Sequence, residues 1–146
     1  MLKLPLQLGL VTLAFTSFSS VAAVKVVPFH LSCTSGNFKG EVKGEYFMGS
    51  AGSEGVMTKS YKITKYNNQS GGNKANLNLS YSEAPLLGWD NKIKSPDNLY
   101  QDGQWRSLSQ TQGKFWYAGK KMEIGYEFVF DKSLRDPTCN VYKVIN

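Results

Sequence analysis

With 146 residues, 41% of them apolar and 19% charged, the chain has material for one packed core and is too short for two ordinary domains. Its formal charge of +6 comes from basic residues scattered among acids rather than from a basic block, which argues against a surface that tracks nucleic-acid phosphates. One histidine and two cysteines supply too few soft ligands for a zinc site once the cysteines pair, and no cofactor motif occurs.

Residues 1–23 open with Met1, Leu2 and Lys3, continue as an apolar run from Leu4 to about Phe18, and end in Val21, Ala22 and Ala23. A basic start, an apolar stretch and small residues at the minus-three and minus-one positions form a cleavable export signal, with cleavage expected after Ala23. The apolar run falls short of the roughly 20 residues that span a bilayer. Loss of Lys3 leaves 16 Lys and Arg against 11 Asp and Glu, or +5, on a single domain at 24–146 that is secreted or periplasmic.

Alternation of apolar and polar side chains dominates from residue 24 onward, and helical periodicity is nearly absent. The first expected strand, 24–32, turns Val27, Phe29 and Leu31 inward with the parity of Cys33. The second, 38–48, turns Phe38, Val42, Tyr46 and Met48 inward and Lys39, Glu41, Lys43 and Glu45 outward, where the charges suit cross-strand pairing on a solvated face. Residues 49–55, rich in glycine and serine, read as a loop.

Strands follow at 57–66, with Tyr61 and Ile63 inward, and at 75–82, with Leu77, Leu79 and Tyr81 inward. Asn67 to Lys74 between them reads as a hairpin turn. A weak strand is expected at 114–118. The strongest pattern is 122–131, where Met122, Ile124, Tyr126, Phe128 and Phe130 share one face. Asp136-Pro137 then turns the chain into a last strand at 139–145. The reading is all-β: an antiparallel β-sandwich or flattened barrel of about seven to eight strands. Cys33 and Cys139, an even pair near the two extremities of an exported domain, are expected to form one disulfide joining the first and last strands.

Residues 83–113 break the pattern. Pro85, Gly88, Pro96, Gly103 and Gly113 interrupt them, and alternation is weak apart from a short strand near Trp105. Long irregular connections in compact domains commonly carry function, which makes this segment the expected recognition surface. Trp89, Tyr100 and Trp105 offer stacking area, and Asp90, Asn91, Gln104 and Arg106 offer directional hydrogen bonds, a combination suited to a sugar or a protein partner. The same tryptophans would also serve to plug the open ends of a sandwich. Asp90, Asp97, Asn98 and Asp102 are hard oxygen donors, but their spacing does not reproduce a calcium loop, so no metal is assigned.

Catalysis finds little support. His30 is the sole imidazole and stands in a strand beside Pro28, no Gly-x-Ser-x-Gly elbow presents a serine, and Glu123 and Glu127 lie about 13 Å apart along an extended strand, too far for a glycosidase pair. A cleft combining a Glu, Arg106 and His30 would be needed for a small secreted hydrolase. The expected function is therefore a non-catalytic binding domain recognising a glycan or protein partner. Rival readings are an inhibitor or immunity protein against a secreted hydrolase or toxin, and a membrane-active β-toxin, which would bring the membrane surface in as a partner. Two sequons, at Asn68 and Asn78, matter only in a host that N-glycosylates its exported proteins. Oligomeric state leaves no mark in the pattern.

Overall fold

A computed structural model describes residues 24–49, 53–84, 92–115 and 121–145. Its strands are β1 (Lys25–Ser35), β2 (Phe38–Met48), β3 (Ser53–Lys65), β4 (Asn76–Glu83), β5 (Ile93–Lys94), β6 (Arg106–Phe115), β7 (Met122–Val129) and β8 (Thr138–Ile145). They form two four-stranded antiparallel sheets, ordered β1-β2-β3-β6 and β5-β4-β7-β8. No ladder joins the two sheets among the described residues, which makes the architecture a sandwich rather than a barrel.

Period-two patterning explains the core. Met122, Ile124, Tyr126, Phe128 and Phe130 are all buried, as are Phe29, Phe38, Val42, Tyr61, Ile63, Leu77, Leu79 and Tyr81 from the facing positions of other strands. Phe130 stacks between Phe38 and Phe128, with ring centroids 5.0 and 6.0 Å away. Each such ring contributes about 1.5–3 kcal/mol through burial alone. Phe128 also lies against the backbone of Gly40, where an added Cβ would meet its ring at 2.5 Å. Directly beside that contact the Cys33–Cys139 disulfide ties β1 to β8, with the Cα atoms 5.9 Å apart. The register accounts for the juxtaposition, since Cys33 pairs with Gly40 and Phe128 with Cys139.

Three sequence expectations need correction. The stretch at 83–113 holds more strand than the short one expected near Trp105, because β5 lies inside it and β6 runs unbroken from Arg106 to Phe115, into the separate strand expected at 114–118. β6 escaped the pattern because its inward positions are Leu108, Gln110 and Gln112, so its core side is largely amide rather than hydrocarbon. β3 begins at Ser53, within the expected loop at 49–55; Gly55 lets the Phe47 ring lie over the strand, and Glu54 is buried with Tyr81 donating to its Oε2 at 3.0 Å. Finally, Asn67 to Lys74 does not close a hairpin but carries the chain from β3 in one sheet to β4 in the other. A tight turn does occur there: Gln69 N–H donates to the Tyr66 carbonyl at 3.0 Å, with Asn67 and Asn68 at φ 54° and 53°. Two consecutive positive φ angles favour asparagine.

The amides of β6 make the sandwich interior partly polar. Gln110 Nε2 donates to the Leu77 carbonyl at 2.9 Å and the Ile93 carbonyl at 3.0 Å, satisfying acceptors of the opposite sheet. Its Oε1 accepts from Thr58 Oγ1 at 3.5 Å, and Thr58 Oγ1 lies 2.8 Å from Tyr126 Oη. Buried polar groups persist in cores when their partners are in place, as at Gln110 and Thr58.

Candidate functional site

The connection from β5 to β6 crosses from one sheet to the other, and each step of the crossing is fixed. Ser95 N–H donates to the Leu77 carbonyl at 3.1 Å, Leu99 N–H to the Ala75 carbonyl at 3.1 Å, and Gly103 N–H to the Ile63 carbonyl at 2.9 Å. Gly103 has φ 73°, a conformation that glycine adopts without steric penalty. Gln101 is the anchor between them. Its buried Nε2 donates to the carbonyls of Gly72 and Asp131, each at 2.9 Å, and its Oε1 accepts from Asp131 N–H at 3.2 Å. A connection pinned at so many points holds the side chains of Tyr100, Trp105 and Arg106 in fixed directions.

Arg106 pairs with Tyr61 across β3 and β6, so its side chain follows the inward parity to the rim of the sandwich. There the guanidinium carbon lies 4.1 Å from the centroid of the Tyr100 ring, and Nε and Nη2 both donate to Asp102 Oδ2. Asp102 Oδ1 accepts from the Gln104 backbone N–H at 3.1 Å. The Arg106 hydrogen bonds hold the Asp102 carboxyl below its usual range and raise Arg106 in turn. Tyr100 N–H donates to Tyr61 Oη at 3.0 Å while its own ring remains 46% exposed. Burial pushes the Tyr61 phenol up.

Trp105, one residue earlier, lies on the outer face of the β1-β2-β3 sheet. Lys43 Nζ sits 4.2 Å and Lys62 Nζ 5.1 Å from its ring centroids, and the His30 ring meets it nearly edge-on with centroids 5.6 Å apart. Contacts of this type hold an indole in place, each worth roughly 0.5–1 kcal/mol at exposed sites. The residue nonetheless remains 37% exposed.

Close by, on the same sheet face, is Glu41, only 6% exposed. Its Oε2 is 2.7 Å from Lys62 Nζ, and its Oε1 is 3.4 Å from Lys39 Nζ and 3.3 Å from His30 Nε2. Burial raises the Glu41 carboxyl, but the hydrogen bonds and charges of Lys62 and Lys39 outweigh it, and the net shift is downward. A covered carboxylate held anionic between ammonium groups is a weak base and a poor proton donor. Its chemistry suits charge neutralisation on the sheet better than acid–base work. The bland solvated face expected from sequence is thus a cation-rich platform around one buried carboxylate.

Trp105 lines one groove, and His30 and Lys43, which touch its ring, line a second. One, of about 460 Å³, is lined by Trp105 together with Tyr61, Pro96, Asn98, Tyr100 and Arg106. The other, of about 520 Å³, is lined by Pro28, His30, Lys43, Glu45, Lys59 and Ser60. Both volumes fall within the span of small-ligand sites.

The structure brings three sequence-predicted residues, Tyr100, Trp105 and Arg106, to one groove, with Gln104 exposed beside them and tied in through its backbone. Trp89, Asp90 and Asn91 lie outside the described residues, as does Asp90 of the calcium reading. Of the remaining oxygen donors in that reading, Asp102 is occupied by Arg106 and Gln104. Sequence reasoning missed His30, Lys43 and Lys62 as neighbours of Trp105. Their outward parity was readable, but the fold-back that lays Trp105 across them was not. No protein family, curated protein or solved structure matches this chain, so the site stands on its own geometry.

Proposed function

We propose that this chain is an exported, non-catalytic binding domain that takes a glycan or a protein partner at the surface centred on Trp105. The carrying observation is the indole itself: a large ring, 37% exposed, fixed by Lys43, Lys62 and His30 and lining a groove. Aromatic rings held rigidly in this way give contact area at small entropic cost, the property shared by sugar platforms and protein hot spots. Export is supported by the signal-like sequence of residues 1–23 and by the Cys33–Cys139 disulfide, which is compatible with an oxidising compartment. Tyr100, Gln104 and Arg106 supply the polar rim, and Trp89, Asp90 and Asn91 belong to the same segment of chain.

A glycan array probed with the purified domain and with its Trp105→Ala variant tests the reading. Retention by the native protein and loss in the variant, at matched far-ultraviolet circular dichroism, is the expected result. Equal retention of both would remove Trp105 from the site and the reading with it. An inhibitor or immunity role would instead reveal itself as stoichiometric co-purification with a hydrolase or toxin.

A further inference from the structure

We infer that the ligand of this surface is an acidic saccharide, a chain of uronic or sulfated sugar units, with one ring on the open face of Trp105 and the anionic group of a neighbouring unit received by Lys43 in the groove that Lys43 lines; this deepens the binding reading above and depends on it. The outer face of β1, β2 and β3 carries Lys39, Lys43, Lys59 and Lys62 against Glu41 and Glu45. Lys59 pairs with Glu45 at 3.2 Å, and Lys62 and Lys39 converge on Glu41. Lys43 is different. Among the described residues it forms no ion pair, and its ammonium instead rests 4.2 Å from the Trp105 ring centroid while it lines the larger groove.

The ammonium covers one face of the indole, so a sugar ring stacks on the other, and Lys43 meets the ligand through the groove it lines with His30 and Lys59. A neutral unit lying in that groove would strip water from the ammonium without compensation, at a desolvation cost. A carboxylate or sulfate there would turn the same ammonium into a charge-assisted hydrogen-bond donor. Glu41 does not oppose an incoming anion strongly, because it is covered and its charge is met by Lys62, Lys39 and His30. With Trp105 lining one groove and its neighbours His30 and Lys43 lining another, the surface has room for more than one sugar unit, which favours an oligosaccharide over a single sugar.

The test is titration of the purified domain with three hexasaccharides: a polyuronate, a sulfated glycosaminoglycan fragment and a neutral glucan. Binding is followed by calorimetry in about 0.1 M and about 1 M salt, where the screening length falls from ~10 to ~3 Å. The expected result is binding of at least one acidic probe, weakened by salt and absent for the glucan, with the two acidic arms separating carboxylate from sulfate. Lys43→Gln should weaken that binding about tenfold and flatten its salt dependence. Trp105→Phe, which keeps a ring and guards against loss of packing, should retain most of it, and Trp105→Ala should lose it. Salt-insensitive glucan binding that disappears in Trp105→Ala would overturn the acidic ligand and leave the binding surface standing. Acidic binding indifferent to both Lys43→Gln and Trp105→Ala would overturn both. Failure of both acidic probes to bind, or capture of a protein partner in their place, would overturn the acidic saccharide alone.

Discussion

Replacing Cys33 and Cys139 together by alanine removes a crosslink between residues 106 positions apart. In the chain-entropy treatment, a loop of that length lowers the entropy of the unfolded ensemble by about 16 cal/mol/K, which is about 4.8 kcal/mol at 25 °C. Small domains are stable by only about 5–15 kcal/mol, so the variant should retain between little and two-thirds of the native stability. For about 120 residues the unfolding entropy near the midpoint is roughly 0.25 kcal/mol/K, and the corresponding fall in Tm is roughly 15–20 °C. Local packing adds to the loss, because Cys139 is buried against the core and pairs with Phe128. Urea unfolding followed by tryptophan fluorescence measures the stability loss, and thermal unfolding the fall in Tm. The midpoint should fall sharply and the slope should rise slightly, since an uncrosslinked chain exposes more surface when it unfolds. A stability loss under about 1 kcal/mol would refute the reasoning, by showing that the unfolded chain is held together by something other than the crosslink.

Other consequences are equally direct. Gly40→Ala places a methyl group 2.5 Å from the Phe128 ring and should cost about 1–3 kcal/mol through overpacking, read as a lower urea midpoint with the fold retained; a neutral effect would mean that the sheets are less closely applied there. Burial raises the Tyr126 phenol, and burial followed by the Glu54 carboxylate raises that of Tyr81, so the folded state keeps protons that the unfolded state releases. Stability should therefore be full below pH ~10 and decline above it, with tyrosinate absorbance appearing together with unfolding. At the acid end, Glu41 and Glu127 are lowered in the fold, so their contribution is present above about pH 4.5 and fades as pH drops through the folded values; Glu41→Gln should blunt that fall in a pH series of melting curves. Secretion through an N-glycosylating host should place a glycan on Asn68, exposed in its turn, while Asn78 is 6% exposed with Nδ2 bonded to Glu127 at 2.8 Å; glycopeptide mass spectrometry finding Asn78 occupied in folded protein would contradict this.

The strands that were legible in the sequence are those whose inward side is hydrocarbon. Residues 122–131 declared both register and burial because all five inward side chains are apolar, and Cys33 could be assigned its direction from the parity of Phe29 and Leu31. β6 was hard to read because Gln110 and Gln112 occupy core-facing positions, and the carbonyls of Leu77 and Ile93 that receive the Gln110 amide belong to the other sheet, which is a fact of tertiary structure. β3 was shortened because Gly55 carries a loop signature, although here it makes room for Phe47. At the candidate site, residues 83–113 stand out in the sequence by their punctuation and their aromatics. The platform beneath Trp105 was not, since His30, Lys43 and Lys62 belong to three separate strands whose adjacency arises only when β1, β2 and β3 pair.

The most direct test of the binding surface is a backbone and indole NMR titration of the labelled domain with the acidic hexasaccharide. The Trp105 indole N–H should move most, accompanied by amides of Lys43, Lys62, Tyr100 and Arg106, in a patch confined to the outer face and rim of the β1-β2-β3-β6 sheet. Perturbations gathered instead on the outer face of the opposite sheet, around Asn78, Glu127 and Asn140, with the Trp105 indole unmoved, would contradict that placement.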